Sequence, residues 1–453
     1  MDTGVSRRKL LEGTALAGLT TLALPGAGTR RSQSSKLQHA AIGVGGMGWA
    51  DLTQIAAHPE VEVVAVCDVD LTRTFAAIER FPGVRVYQDW RELLAREGDR
   101  VDSVNVTVPD HMHAPIALTA LRMGKHVYCQ KPLAHEVHEV RVLARAAAEA
   151  GVATQMGIQL SSDVGDRTVV QLVRDGAIGK VREVHLWSNK DPWKYRPTGP
   201  RPTEEQAPPE GLDWDLWLGT APERPYVAEV YHPTFWRGWQ DFGVGWLGDM
   251  GCHILHAPFH GLGLTAPLAV SAEVEPAWRD TPGRRGETWP TWQVVRSTLP
   301  GTELTAGDTI EVVWSDGGRY PPEELRALLE TPEQVYPEQG ALLIGEEGVL
   351  LHPHGGEPVL YPSERYADHP RPEVPPRNHW HHWVEACLGR GRTEAGFDYA
   401  ARLTEAILLG TSALRHPGER LDWDADAGRF TNAEEANALL RRTYRSGWEV
   451  EGL

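Results

Sequence analysis

Cysteine is scarce in this sequence, with four residues among 453 and no C-x-x-C pair or other paired spacing. A chain of this length needs neither disulfides nor a structural metal to hold its core, so we interpret the four cysteines as buried thiols. Phenylalanine is also rare, at seven residues, whereas tryptophan occurs 17 times. An indole face packs well on the C–H groups of a sugar, so this excess is compatible with a carbohydrate-facing surface, although most tryptophans serve in cores and interfaces.

Positive charge is in deficit, because the formal net charge is -17. An acidic body of this kind argues against nucleic-acid backbones and anionic membrane surfaces as partners. Long apolar runs are missing as well: residues 13–26 are only mildly apolar and are too few to stay in a bilayer as a helix. We therefore predict no stable membrane span. The length is enough for two or three domains of ordinary size.

The first 31 residues resemble a twin-arginine export signal. Arg7 and Arg8 stand in the stretch SRRKLL, the weakly apolar segment follows, and a second basic pair, Arg30 and Arg31, ends the region. We therefore predict that residues 1–31 are a signal peptide, that the export machinery is a partner, and that the protein is periplasmic or secreted. The alternative is a disordered basic tail. Twin-arginine export carries folded proteins, which would let a cofactor be acquired in the cytoplasm.

A glycine-rich turn follows the first predicted strand. Its sequence, GVGGMG, matches the G-x-G-x-x-G pattern with Gly43, Gly45 and Gly48, and Gly46 and Met47 lie inside it. Glycine allows the tight turn, the close approach of a pyrophosphate and the packing of the next helix against the strand. The pyrophosphate would then sit at the helix N-terminus. The turn therefore predicts a dinucleotide site that all five residues help to form.

An acidic residue stands where such a site needs one. The second predicted strand, Val61 to Cys67, ends in Asp68, at the usual distance of about 20 residues beyond the glycine turn. Its carboxylate would accept hydrogen bonds from the hydroxyls of the adenosine ribose and would repel a 2′-phosphate. The predicted cofactor is therefore NAD, and NADP is the less favoured alternative.

Strands and helices alternate from residue 37 to residue 155, which predicts an α/β domain with a doubly wound parallel sheet, the Rossmann arrangement. In such a sheet, ligands bind outside the carboxyl ends of the strands. Pro109 and His111 follow one predicted strand, and Gln130 and Lys131 follow another. We predict that these four residues contact the cofactor near its nicotinamide.

Residues 156–448 follow a different pattern, in which strand-like segments are separated by long loops rich in Pro, Gly and Trp. This pattern predicts a second, α+β domain with an open, mostly antiparallel sheet. The strand-like segments begin at Val152 and cover residues 152–156, 181–188, 269–274, 293–298, 309–313 and 340–345.

Three separated stretches resemble the Gfo/Idh/MocA family, named for glucose-fructose oxidoreductase, inositol dehydrogenase and MocA. They are VTVPDHMHAPIALTALRMGKHVYCQKPL, WRGWQDFGVGWLGDMGCHIL and DYAARLTEAILLGTSALR. The resemblance extends from Leu37 to Trp448 and implies a sugar-active oxidoreductase whose second domain often forms a dimer face. Many members have Glu before the lysine, where this chain has Gln130. Together with the DFG, GDMGCH and TQMG elements, this departure indicates the twin-arginine-exported branch.

The resemblance implies a catalytic set of Lys131, Asp249 and His253. Asp249 and His253 are four residues apart, so a helix would present both on one face. His253 would accept the hydroxyl proton, Asp249 would orient it or bind a neighbouring hydroxyl, and Lys131 would donate to the developing alkoxide. The simpler alternative is an acid near a helix N-terminus and a packed histidine.

Other candidates have weaker signals. Trp193, Trp236 and Arg237 lie in loop-like segments and could form a sugar platform together with His253, or the tryptophans could belong to an interface. His111 and His113 have no third ligand nearby, so we predict no metal site. The histidines and tryptophans of the stretch NHWHHW are predicted to be solvated or to lie at the substrate rim.

The leading hypothesis is an exported NAD-dependent oxidoreductase acting on a sugar, a sugar acid or a glycoside with a tightly held cofactor. The periplasm supplies no free NAD, so the cofactor must be recycled within the cycle or by a second substrate. A redox-neutral glycoside hydrolase that oxidises, eliminates, hydrates and reduces back is the first alternative. A non-catalytic sugar-binding relative is the second. A homo-oligomer is expected in each case.

Overall fold

A computed structural model describes residues 36–190, 197–329 and 335–453. The predicted signal segment and Trp193 lie outside the described residues. Within the described part of the chain, no helix combines the length and the apolar character needed to cross a membrane.

The first sheet has the predicted parallel, doubly wound arrangement. Among the described residues it contains six strands in the order β3-β2-β1-β4-β5-β6, and every neighbouring pair is parallel. The strand order reverses direction beside β1, which creates the crevice where such sheets bind their ligands. The strands are β1 (Leu37–Ile42), β2 (Val61–Cys67), β3 (Arg85–Tyr87), β4 (Ser103–Val106), β5 (His126–Cys129) and β6 (Thr154–Met156).

Helices connect these strands and cover the sheet. They are α1 (Met47–Ala56), α2 (Phe75–Arg80), α3 (Trp90–Glu97), α4 (His113–Arg122) and α5 (Val137–Ala150). The strand that begins near Val152 was predicted for the second domain, but Thr154–Met156 pairs in parallel with β5 and closes the first sheet. A three-residue strand has too little pattern to show which sheet it joins, so this assignment required the tertiary pairing.

The second sheet is open and mostly antiparallel, which confirms the predicted fold class. Among the described residues it has nine strands in the order β13-β12-β11-β7-β10-β9-β8-β14-β15, and the pair β7–β10 is parallel. The strands are β7 (Val181–Ser188), β8 (Ala269–Val274), β9 (Gln293–Pro300), β10 (Thr309–Asp316), β11 (Gln339–Gly345), β12 (Val349–Pro353), β13 (Val359–Tyr361), β14 (Arg420–Asp424) and β15 (Arg429–Phe430). The last four were not predicted, because they are only two to five residues long.

Two long helices hold the second sheet to the first domain. α13 (Phe397–Arg415) packs against α5, against β8 and β9, and against α8 (Gly245–Leu262). Most of its side chains are buried, from Phe397 to Leu414. The remaining helices are α6 (Val164–Arg174), α7 (Trp214–Leu218), α9 (Pro276–Arg279), α10 (Pro282–Arg285), α11 (Glu323–Arg326), α12 (His379–Cys387) and α14 (Glu434–Asn437). The core is therefore continuous across both sheets, and it fixes α8 against the end of β5.

Candidate active site

The glycine turn between β1 and α1 has no room for side chains at two positions. Gly43 has φ +81, and a Cβ there would lie 2.1 Å from the carbonyl oxygen of Thr107. A Cβ on Gly48 would lie 2.1 Å from the carbonyl oxygen of Gly43. Because only glycine fits both places, α1 lies close against the strand and its N-terminus faces the crevice.

Asp68 stands at the end of β2 with its carboxylate held in place. The backbone N–H groups of Val44 and Asp70 donate to its two oxygens at 2.9 and 3.0 Å. Burial raises the pKa of Asp68 above its usual value, although these two bonds oppose the shift. The side chain of Arg73 covers Gly45, where a Cβ would lie 3.1 Å from it. The ribose end of the site therefore pairs a fixed carboxylate with a nearby guanidinium.

These groups line a cavity of about 380 Å³ at the carboxyl ends of the strands. Seven of the ten predicted cofactor residues line it, namely Gly43, Gly45, Gly46, Met47, Gly48, Asp68 and Pro109. The glycine cradle and the ribose acid fit NAD. Arg73 also lines the cavity beside Asp68 and was not predicted. The opposite wall is formed by further residues without a prediction, among them Trp217, His232, Pro233 and Thr234.

The opposite wall belongs to residues 211–237, which we call the strap. The strap pairs with the segment after β2: the N–H of Leu71 donates to the oxygen of Gly211 at 2.9 Å, and the N–H of Asp213 donates to the oxygen of Val69 at 2.9 Å. The imidazole of His232 lies 3.2 Å from a carboxylate oxygen of Asp70. The cavity is thus enclosed by both domains. No local pattern could have shown this, because the strap is mostly loop, apart from the short helix α7, and is about 140 residues further along the chain than the segment it contacts.

Lys131 follows β5, and its ammonium reaches the second domain. Its Nζ donates to the main-chain oxygen of Asp249 at 2.7 Å and to Oδ1 of the same residue at 2.5 Å. The Nε of Arg237, which lines the cofactor cavity, also donates to that Oδ1 at 3.0 Å. Burial alone would raise the pKa of Asp249, but the charges of Lys131 and Arg237 outweigh it and hold that pKa below its usual value. The site therefore contains a permanent carboxylate shared by two cations.

His253 lies one turn further along α8 and is half-buried. Its Nδ1 is shielded from solvent and makes no hydrogen bond among the described residues. Burial and the nearby charge of Lys131 lower the pKa of His253 well below 6.5, so the imidazole is neutral at pH 7. The ring of His354, after β12, lies 5.9 Å from it between centroids. His354 was missed because it lies on a strand end of the second sheet without a motif.

The structure explains why position 130 carries an amide and not a carboxylate. Its Nε2 donates to Asp51 Oδ2 on α1 at 2.9 Å, and its Oε1 accepts from the N–H of Lys131 at 3.2 Å. Asp51 is fully buried and also accepts from Thr107 and Trp380 at 2.9 and 2.8 Å. A glutamate at position 130 would meet this carboxylate. The amide of Gln130 instead supplies a donor to Asp51.

Several predicted residues lie elsewhere. His111 is completely buried, and its Nε2 lies 3.1 Å from the carbonyl oxygen of Leu218, so the ring supports the domain contact and does not line the cavity. Gln130 and Lys131 are not among the residues that line the cavity. Trp236 is buried at the cavity end, with the Arg237 guanidinium 4.2 Å over its ring.

The NHWHHW stretch forms the start of α12. The prediction that its histidines and tryptophans are solvated is wrong for those that face the protein interior. His379 and Trp383 are buried, and Trp380 reaches Asp51. The reason is that α12 packs on α1 of the first domain.

Replacing Asp68 with Ser is expected to shift cofactor preference towards NADP by about 10- to 100-fold, the effect of one charged hydrogen bond. The substitution removes the charge that repels a 2′-phosphate, while Arg73 is already in place to bind it. Dissociation constants for NAD and NADP, measured by fluorescence on the stripped protein, give the ratio. Arg80→Gln, an exposed change on α2, is the control. Stronger binding of NADP than of NAD by the unmodified protein would contradict the role given to Asp68.

Two family models match the chain. An oxidoreductase-family model for an NAD-binding Rossmann fold matches residues 37–158, and the C-terminal alpha/beta domain of the same family matches residues 163–298. The chain belongs to the Gfo/Idh/MocA oxidoreductase family. The family resemblance and the NAD cofactor predicted from the sequence are thereby confirmed.

Curated relatives match about a third of this chain. Inositol 2-dehydrogenase of Rubrobacter xylanophilus is 33% identical over 151 residues, which is 33% of this chain and 43% of the relative. Levoglucosan dehydrogenase of Pseudarthrobacter phenanthrenivorans is 26% identical over 169 residues, which is 35% of this chain and 42% of the relative. The matched part is thus less than half the length of either relative.

Solved structures of low identity share the whole fold. The WlbA dehydrogenase from Bordetella pertussis, in complex with NADH and UDP-GlcNAcA, has a TM-score of 0.59 at 17% identity and covers 86% of this chain and 100% of its own. Aldose-aldose oxidoreductase from Caulobacter crescentus, complexed with glycerol, has a TM-score of 0.54 at 20% identity and covers 86% of this chain and 100% of its own. Both structures are similar to this chain in their two-domain fold.

Proposed function

We propose that the protein is an exported, NAD-dependent oxidoreductase that acts on a secondary alcohol of a sugar, a sugar acid or a glycoside. The observation that carries the proposal is the contact of Lys131 with Asp249, across 118 residues of sequence, beside an imidazole with an unpartnered nitrogen. Arg237 joins this group to the cofactor cavity, because it lines the cavity and bonds to Asp249. A cation, a base and the cofactor cavity thus meet at one place.

The side chains support a simple division of roles. Bound NAD would supply the hydride acceptor. Burial lowers the pKa of His253, so its imidazole is neutral and has a free lone pair that can take the hydroxyl proton. The ammonium of Lys131 is suited to donate to the substrate oxygen as negative charge develops there. Asp249 holds Lys131 in position and balances its charge together with that of Arg237.

A carbohydrate substrate is supported by the names of the relatives. Inositol, levoglucosan and aldoses appear in the names of three family members similar to this chain. All three are polyhydroxylated molecules, for which a carboxylate and two neighbouring cations are suitable hydrogen-bonding partners.

A tightly held cofactor is supported by the strap. The adenosine end of the cavity has Asp68 and Arg73 on one side and His232 and Pro233 on the other. Release of the cofactor would require the strap to separate from the segment after β2, where it makes main-chain hydrogen bonds. Retention of this kind is what an exported enzyme needs where free NAD is not supplied.

The test begins with mass spectrometry of the dinucleotide released from purified, denatured protein, which we expect to be NAD. A screen of sugars, sugar acids and aryl glycosides should then be followed at the nicotinamide absorbance and by aglycone release in parallel. Reduction of the bound cofactor by a sugar, reversed by a second sugar, supports the oxidoreductase. Aglycone release without net NADH would identify the redox-neutral hydrolase. Sugar binding with neither signal would identify a non-catalytic relative.

Export is expected to depend on the arginine pair. Changing Arg7 and Arg8 to Lys should reduce export at least about tenfold and leave folded, NAD-containing protein in the cytoplasm. Immunoblots of cytoplasmic and periplasmic fractions measure the distribution. Changing Arg30 and Arg31 to Lys is the matched control and should leave export unchanged. Unimpaired export of the Arg7, Arg8 variant would contradict the twin-arginine assignment and favour a simple basic tail.

We also propose that the protein forms a homo-oligomer through its second domain, whose open sheet provides the expected face. Light scattering on the eluting peak of a size-exclusion column measures the mass, and a monomer at micromolar concentration would contradict the proposal.

A further inference from the structure

A second cavity lies in the carboxyl-terminal domain, apart from the cofactor site. It has a volume of about 460 Å³ and lies between α6, the second half of α8 and the segment 372–377. It shares no lining residue with the cofactor cavity. Its inner wall includes Ser161, Arg167, His256 and Arg377. The proposed reaction uses none of these residues.

Polar atoms in this wall are buried without partners. Ser161 and His256 are each 1% exposed, and among the described residues neither Ser161 Oγ nor His256 Nε2 makes a hydrogen bond. The same is true of the Nε of Arg377. Nδ1 of His260, which also lines the cavity, is a fourth such atom. Unpaired buried groups of this kind are costly, and four of them on one cavity wall indicate a polar ligand.

Three of these four groups, on Ser161, His256 and Arg377, can donate hydrogen bonds. The hydroxyl of Tyr399 lies 2.8 Å from Nδ1 of His256. The same hydroxyl lies 3.3 Å from the main-chain oxygen of His256, so the shorter contact, to Nδ1, favours donation to the ring. In the tautomer that accepts this bond, His256 has its hydrogen on the unpartnered Nε2. The guanidinium N–H of Arg377 and the hydroxyl of Ser161 can donate in the same way.

The charges of the inner wall leave a positive surplus. Arg167 and Arg377 are near each other: burial lowers the pKa of Arg167, and the charge of Arg377 lowers it further. Glu394 is the acid of the inner wall and is bonded to Arg377. The other acids, Asp175 and Glu373, are exposed at the rim. One carboxylate therefore faces two guanidinium groups.

We propose that this cavity binds a small oxyanion, the carboxylate or phosphate group of a small molecule. Two guanidinium groups, an imidazole N–H and a hydroxyl provide the charged and neutral donors that such groups accept from. The volume is within the range of pockets for small ligands. Arg167 supplies the net charge that binding needs, because Glu394 already balances Arg377.

Calorimetric titration of the full-length, NAD-loaded protein at low ionic strength tests the site. NAD occupies the glycine turn, so an anion probe is kept out of the pyrophosphate position. The probes are inorganic phosphate and gluconate, which separate a phosphate site from a carboxylate site. We expect at least one to bind with a millimolar or lower dissociation constant. Arg167→Gln should weaken that binding by about 10- to 100-fold, and Ser161→Ala by a smaller factor of about 2 to 10.

Arg80→Gln removes one positive charge from an exposed place on α2 and is the control for net charge. It should leave the affinity within about twofold, as expected for a distant, screened charge. If Arg167→Gln misfolds, the affinity of Ser161→Ala alone tests the proposal, because that substitution removes only one oxygen atom and should not disturb the fold. Binding of neither probe by the unmodified protein would overturn the proposal. So would equal affinities of the unmodified protein, Arg167→Gln and Ser161→Ala.

Discussion

Lys131→Met is expected to lower turnover on the true substrate by about 100- to 1000-fold, the effect of removing one preorganised donor. The ammonium is more valuable in the transition state than in the bound ground state, because negative charge develops on the substrate oxygen only as the proton leaves. NAD retention should change little, since Gly43, Gly48 and Asp68 line the cofactor cavity and Lys131 does not. Single-turnover reduction of the bound cofactor measures the loss.

The same strand provides the control for this substitution. Lys125 immediately precedes β5 at its opposite end, so Lys125→Met makes the same chemical change far from Asp249 and should preserve turnover. His253→Ala should also suppress turnover. If Lys131 and His253 act as a unit, the double variant will lose less than the product of the two single effects. Near-normal turnover of Lys131→Met would show that the Gln-Lys-Pro turn has only a structural role.

Gln130→Glu is expected to destabilise the protein at pH 7 by about 2–4 kcal/mol, although it restores the residue common in the family. The change removes the donor that Asp51 now receives at 2.9 Å and brings a second carboxyl next to a buried one. Burial already raises the pKa of Asp51, and a second carboxylate would strengthen that effect. One of the two groups must therefore take up a proton in the folded state.

The pH dependence of this destabilisation has a definite sign. A carboxyl whose folded pKa is raised above its unfolded value of about 4 destabilises the fold progressively as pH rises through that interval. The difference in urea midpoint between Gln130→Glu and the unmodified protein should therefore be large at pH 7.5 and shrink towards pH 5. Combining the change with Asp51→Asn should recover most of the loss, because the amide can then donate from the other side. Equal midpoints at both pH values would refute the pairing.

Local rules were sufficient for much of the first domain. The turn at Gly43 and Gly48 needs glycine because a Cβ would collide with the neighbouring backbone, and this requirement is visible in the spacing alone. Asp68 directly follows its strand in the sequence, so its position at the ribose end could be predicted from the position of that strand. Asp249 and His253 share a face of α8 for the same reason.

The partners of those residues were decided by tertiary structure. The helix spacing placed Asp249 near His253, yet the described hydrogen bonds of its carboxylate go to Lys131 and Arg237. The amide of Gln130 is explained by Asp51, which lies 79 residues away on α1. Neither pairing has a periodic signal, because each depends on how α1 and α8 pack around the end of β5.

The sequence by itself determined the NAD cofactor and the residues at the ends of β2 and β5, because each depends on contacts within one strand-turn-helix unit. It also determined the fold class and the family, through the pattern of strands and helices and through three separated motifs. Only the tertiary structure decided that the strap closes the cofactor cavity, that His354 faces His253 and that His111 is buried under α7. These features join segments that are 100 or more residues apart, and their free energy comes from the packing of two domains. The local sequence of a loop does not indicate the surface against which that loop packs.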